Sequence, residues 1–179
     1  MEQDPFLKTC AKSLNNLRQT FPQNLELIAY ITALIEEKVD PNYIVTEEDI
    51  KPQFLPLLVS RVNRVKGPKV EWYDDKAGYG LKADKLYLAG DFVTIYGGIR
   101  TEEYVPGPYV MELNHVSING LYGFKLSEKG RWINEESSNE QRRIQFMNLP
   151  LNVKMIASKN VRKGEWFFTD YGKYYVRNY

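Results

Sequence analysis

The sequence predicts a mainly β, α+β fold, with a helical region over residues 1–68 followed by a domain of small sheets over residues 69–179. Three observations carry this. Apolar residues recur at helical spacing in the first part. Short β-rich runs separated by glycine turns fill the second. Composition changes at the same place: of 24 aromatic residues (13 Tyr, 8 Phe, 3 Trp) only five precede residue 69, and of 12 glycines only Gly67 does.

In the helical region Asp4-Pro5 reads as an N-cap with proline at the first helical position. Leu7, Cys10, Ala11, Leu14 and Leu17 then form one apolar face, and Phe21-Pro22 ends it. Asn24 caps a second helix to about Val39, apolar nearly all round and therefore buried. Thr46 and Asp49 form a capping box; Pro52 and Pro56 break or delay the helix that follows, leaving Leu57 to Val65 as its firmer part. This region carries no chemistry of its own. It reads as a cap on the next domain or as a docking surface for a partner.

The predicted strands are Val70–Tyr73, Phe92–Tyr96, Tyr109–Leu113, Ile144–Met147, Val153–Ile156 and Glu165–Thr169. Turns fall at Asp74-Asp75, Leu88 to Asp91, Gly97-Gly98, Pro106 to Pro108 and Arg162 to Gly164.

Counting closes off several functions. One cysteine excludes intramolecular disulfides and Cys-rich zinc sites, one histidine excludes HExxH sites, and no metal site is expected. A net charge of +1 provides no global field for nucleic acid. The longest apolar stretch, Leu25 to Ile35, is too short to span a membrane, and the acidic, polar N-terminus is no secretory signal. The expectation is a soluble intracellular protein, nuclear or cytoplasmic, with its oligomeric state open and a homo-oligomer allowed.

Gly78-Tyr79-Gly80-Leu81-Lys82-Ala83 fits the GxGxxA form of a dinucleotide fingerprint. That motif works only where a long helix follows and presents its N-terminus to phosphate. Here a β-rich run follows within ten residues, which excludes the reading.

The same glycines belong to a longer pattern. Gly78 to Ala83, Gly90-Asp91-Phe92-Val93-Thr94-Ile95-Tyr96-Gly97-Gly98, Arg131-Trp132-Ile133-Asn134 and Gly164-Glu165-Trp166-Phe167-Phe168-Thr169-Asp170-Tyr171-Gly172 follow one another in order. Together they resemble the SET domain of protein lysine methyltransferases. The resemblance implies small sheets around a pseudoknot core, where the segments 131–134 and 165–172 cross. It also implies S-adenosylmethionine (SAM) on one side and a substrate lysine entering a channel from the other.

Methyl transfer to lysine needs a neutral amine as nucleophile. Ionisation opposes this by roughly 3.4 pH units, about 4.6 kcal/mol at pH 7. An apolar channel and a nearby positive charge lower the amine's pKa, and alignment of the reactants supplies much of the rest. No metal or covalent nucleophile is required. By resemblance, Tyr171 is the catalytic tyrosine, joined by Tyr96. Tyr96, Met111, Phe168 and Thr169 line the substrate channel. Tyr79, Gly80, Tyr109, Arg131, Trp132, Asn134, Glu135 and Tyr175 form the cofactor site, with Tyr109 also on the lysine channel. The partner implied is a protein or peptide presenting a lysine, with a histone tail as the family's usual target.

The chain departs from the family pattern at several points. Glu135 stands where a histidine commonly follows the asparagine. Thr169 stands where Phe or Tyr often limits methyl number, so product multiplicity is open. The zinc-binding cysteines that complete the channel in some members are absent, and Lys173 to Tyr179 would have to close it. These departures support an alternative, a catalytically silent SET-like module binding a peptide or protein. His115 reads as a surface or turn residue, and Arg142-Arg143 as a solvated charge cluster.

Overall fold

The structure is a computed structural model that describes residues 39–102, 107–113, 116–135, 142–148 and 153–171, with residues 12, 14–16, 18–20, 22–25, 27–29 and 32 of the N-terminal segment. The chain forms two units, Met1–Val39 and Asp40–Tyr179. In the first, Asn24 caps a helix as expected: its side-chain oxygen accepts the Leu27 N–H at 3.5 Å, and its carbonyl accepts the Ile28 N–H at 3.1 Å. The Asp4-Pro5 helix start lies outside the described residues.

The second unit begins well before the compositional change at residue 69. Thr46 and Asp49 do form their box, since Asp49 accepts from the Thr46 N–H at 2.9 Å and the Thr46 hydroxyl at 2.8 Å. The box closes a turn instead of starting a helix. Pro52 has no N–H and disfavours helical backbone at Lys51, so α1 runs only over Leu55–Arg64, with Pro56 tolerated in its first turn. Asp49 also accepts from the Tyr43 hydroxyl at 2.9 Å and faces Arg61 of α1 at 3.8 Å, with both partners buried. Burial and Asp49 together raise the Tyr43 pKa.

Among the described residues ten strands make four small sheets. β1 (Lys69–Asp74) and β2 (Gly78–Lys82) are an antiparallel hairpin with a bulge between Trp72 and Asp74. β3 (Phe92–Tyr96) lies beside β9 (Val153–Ala157), which pairs in turn with β8 (Ile144–Asn148). β6 (Val116–Asn119) is the middle strand between β4 (Ile99–Thr101) and β5 (Val110–Leu113). The fourth sheet pairs β7 (Asn134–Glu135) in parallel with β10 (Phe168–Thr169).

Five of the expected runs lie in strands, with Tyr109 one residue ahead of β5, and no helix follows the GxGxxA segment, which is β2. Of Glu165–Thr169 only the last two residues are strand. The polar-looking stretch around His115 carries β6, whose Ser117 and Ile118 are buried; His115 itself lies outside the described residues. At the β3–β4 connection Gly98 has φ +143°, and a Cβ there would collide with the Asn119 carbonyl. Among the described residues no helix is long and apolar enough to cross a membrane.

The core gathers Leu58 and Val62 of α1, Val70, Leu81, Phe124, Leu126, Met155 and Phe167. Asn63 ties α1 to β1: its amide donates to the Val70 carbonyl and accepts the Val70 N–H, each at 2.7 Å. Lys129 is the unusual member, because its ammonium is fully buried. It donates to the carbonyls of Val65 and Pro68, each at 2.8 Å, and so fixes the α1–β1 turn. Burial, with repulsion from Lys69, lowers its pKa to about 8.

The sign of the linkage follows. Between pH 8 and 10.5 the unfolded chain holds the Lys129 proton and the folded chain releases it, so this group makes stability rise with pH in that window. Chemical denaturation of wild type and Lys129→Met from pH 7.5 to 10.5 is expected to show a rising component in wild type that the variant lacks.

Candidate functional site

The site is built where two distant stretches cross. β7 and β10 are each two residues long, with Phe168 opposite Asn134 and Thr169 opposite Glu135. A ladder this short has little stability alone, and its neighbours hold it. On the other side of β10, the Arg143 N–H donates to the Phe168 carbonyl at 2.9 Å, and Arg142 bridges to Phe168. The Arg143 guanidinium donates to the Trp166 carbonyl at 3.0 Å and to Glu165 at 3.4 Å. Arg142 pairs with Asp170 at 2.8 Å, immediately before Tyr171. The two arginines are therefore not a loose solvated cluster; they grip β10 and the Asp170 that follows it, just before Tyr171.

Past the end of β10, the Tyr171 hydroxyl donates to the carbonyl of Ile133, the residue before β7. The crossing is thus closed by a side chain as well as by backbone. Asn134 reaches the other way, donating from its amide to the Tyr79 carbonyl at 3.4 Å. Gly80 makes this approach feasible, because a Cβ there would lie 3.0 Å from the Asn134 amide nitrogen and 3.1 Å from the Trp166 ring. Tyr73 stacks edge-on against both Trp166 and Phe168, with centroids 5.1 and 5.5 Å away. Thr169 is buried beside them.

A second cluster lies along the same segment, toward β3. The Tyr96 hydroxyl donates to the Tyr109 carbonyl at 2.8 Å, and that oxygen also accepts the Gly120 N–H at 2.8 Å. The Arg131 guanidinium lies 4.4 Å from the Tyr109 ring centroid and 5.2 Å from those of Phe124 and Trp132. It donates to the Leu121 carbonyl at 2.6 Å, and burial lowers its pKa. Trp132 is a core residue, set edge-on to Phe124. Met111 pairs with Ile118 in the β5–β6 ladder.

The predicted residues thus fall into two groups along 130–135: Tyr171, Asn134, Tyr79, Gly80, Phe168 and Thr169 at the crossing, and Tyr96, Tyr109, Arg131 and Trp132 beside it. Glu135 contributes its backbone to β7; its side chain and Tyr175 lie outside the described residues. Sequence reading left Tyr73 without a role, yet it packs on the Trp166–Phe168 block. Its only signal was its place in a β-rich run.

The acceptor groups at the crossing suit a cofactor with polar hydrogens on its adenosine part. The Asn134 side-chain oxygen accepts no hydrogen bond from the described residues, and the Tyr79 carbonyl has only that long contact to Asn134 from a side chain. Acceptors of this kind, beside an aromatic wall, fit SAM in kind.

No protein-family model matches the chain, and no curated protein does. Solved structures do. ATXR5 in complex with mono-methylated histone H3.1 aligns at 18% identity and a TM-score of 0.51, over 75% of this chain and 70% of that one. KRYPTONITE in complex with mCHH DNA, an H3 peptide and SAH aligns at 18% identity and a TM-score of 0.50, over 68% of this chain and 27% of that one. A humanized mutant of the Chaetomium thermophilum Polycomb Repressive Complex 2 bound to the inhibitor GSK126 aligns at 20% identity and a TM-score of 0.49, spanning 16% of that chain. The fold is therefore the SET fold of histone lysine methyltransferases, as the four sequence blocks implied. The chain spans well under two thirds of two of these three neighbours.

Gly80→Ala tests the crossing. The added methyl must displace Asn134 or Trp166, and overpacking of this kind costs typically 1–3 kcal/mol. Urea unfolding should show a lower midpoint with an unchanged slope.

Proposed function

We propose that the protein is a SAM-dependent protein lysine N-methyltransferase. The observation that carries this reading is the Tyr171 hydroxyl meeting the Ile133 carbonyl beside the paired β7 and β10. SAM would supply an activated methyl group on a sulfonium. Asn134, Tyr79 and the bare backbone at Gly80 would hold its adenosine side. Because Trp132 is spent on the core, its part in that site is a backbone one.

The phenol of Tyr171 donates its proton to the Ile133 carbonyl, which fixes the direction of its oxygen. In this reading it orients the methyl group toward the incoming amine. Tyr96 works beside it, held by its own bond to the Tyr109 carbonyl. In this reading Tyr96, Tyr109, Met111 and Phe168 are the residues assigned to the lysine channel, where apolar surroundings would disfavour the ammonium form and aromatic faces would let residual charge pass. Thr169 leaves more room than a Phe or Tyr would, which favours acceptance of an already methylated amine.

The substrate class in this reading is a lysine on a histone-like protein. ATXR5 and KRYPTONITE were each solved with histone H3 segments, which supports a peptide substrate of that kind.

Labelled SAM with core histones and a cell extract, resolved by gel, tests the activity. Tyr171→Phe is expected to reduce kcat by about 10²-fold or more while leaving SAM binding intact. The lost hydrogen bond lowers stability by about 1 kcal/mol. A variant methylating as fast as wild type would remove Tyr171 from the chemistry. Failure of wild type to bind millimolar SAM by calorimetry would favour the silent binding module.

A further inference from the structure

A cleft of about 700 Å³ opens between the 66–69 turn, residues 84–87 and the first residues of β3, and none of the crossing residues lines it. Its size suits a small-molecule ligand, for which pockets run to roughly 300–1,000 Å³. Four lysines line it, Lys66, Lys69, Lys85 and Lys129, against a single carboxylate, Asp84. That carboxylate is engaged by the Tyr87 hydroxyl at 2.6 Å.

None of the four lysines forms an ion pair among the described residues. Lys69 donates to the Asn63 carbonyl at 2.6 Å, Lys85 lies 5.1 Å from the Tyr87 ring centroid, and Lys129 is capped by the Val65 and Pro68 carbonyls. Lys129 and Lys69 are close enough to repel. Asp84 offsets the Lys129 charge only in part and forms no ion pair with it, so a buried ammonium beside three more amines is an electrostatic cost that a bound anion would relieve. The rest of the lining includes Pro68, Phe92, Val93 and Ile95, with Thr94 and Ser127 as polar members, and Phe92 is 52% exposed. A large exposed aromatic at the mouth of a lysine-lined cleft calls for a ligand with a flat apolar body and an anionic head.

We infer that this cleft is a binding site for a small aromatic phosphate. The phosphate meets Lys66, Lys69 and Lys85, and the ring lies against Phe92. Lys129 acts from beneath by holding the 65–68 turn in place. The site stands apart from the methyltransferase reading and does not depend on it.

The test is titration of the ¹⁵N-labelled full chain with phenyl phosphate, inorganic phosphate and phenol at low salt, following backbone amide shifts. Phenyl phosphate is expected to give saturable shifts at Gly67, Lys69 and Phe92. Phosphate and phenol should each bind at least about tenfold more weakly, and added salt should weaken phenyl phosphate binding. The double reversal K66E/K85E, at exposed positions that leave the fold intact by its spectrum, should weaken binding by about tenfold or more. Absence of saturable shifts, equal binding of inorganic phosphate, or undiminished binding in K66E/K85E would overturn the proposal.

Discussion

The two-residue parallel pairing of Asn134–Glu135 with Phe168–Thr169 is the constraint on which the rest of the second unit depends. Parallel neighbours cannot be joined by a tight turn. The chain must leave β7, build the β8–β9 hairpin, and return before β10 can lie down. Two ladder residues cannot repay that excursion, so the pairing is held from outside. Tyr171 closes one end on the Ile133 carbonyl, and Arg142 and Arg143 hold the far edge of β10.

Charge does structural work throughout this unit. Arg131 is buried among three aromatic rings, Arg143 is spent on the Trp166 carbonyl, and Lys129 is spent on the carbonyls of a turn. Each cation satisfies backbone oxygens that short strands and tight connections leave without ladder partners. A fold of four small sheets has many such oxygens, and long basic side chains reach them across gaps that backbone cannot close. The residues 129–131 join the separate regions: Lys129 faces the lysine cleft, Gly130 packs against the Tyr96 backbone, and Arg131 supports Tyr109.

Local pattern made much of this legible. β3 could be read in full because Phe92–Tyr96 combines β-branched and aromatic residues between turn signals. Asn24 and the Thr46–Asp49 box could be read because capping is a contact within a few residues. β6 was hidden by the polar residues around it, as its middle position in a sheet is set by partners on either side. β7 was hidden too, because two residues carry no periodicity. The roles of Tyr73, Arg142 and Arg143 depend wholly on contacts made across the crossing.

The sequence by itself determined the α+β class, the strand-bearing half and the four blocks that point to the SET fold, because each rests on short-range spacing that survives in one dimension. Tertiary structure alone decided that Tyr171 meets Ile133, that residues 40–68 share one compact unit with the strands, and that four lysines share one cleft. Those outcomes join residues tens of positions apart, and such contacts form only when the chain crosses itself and excludes water between the strands.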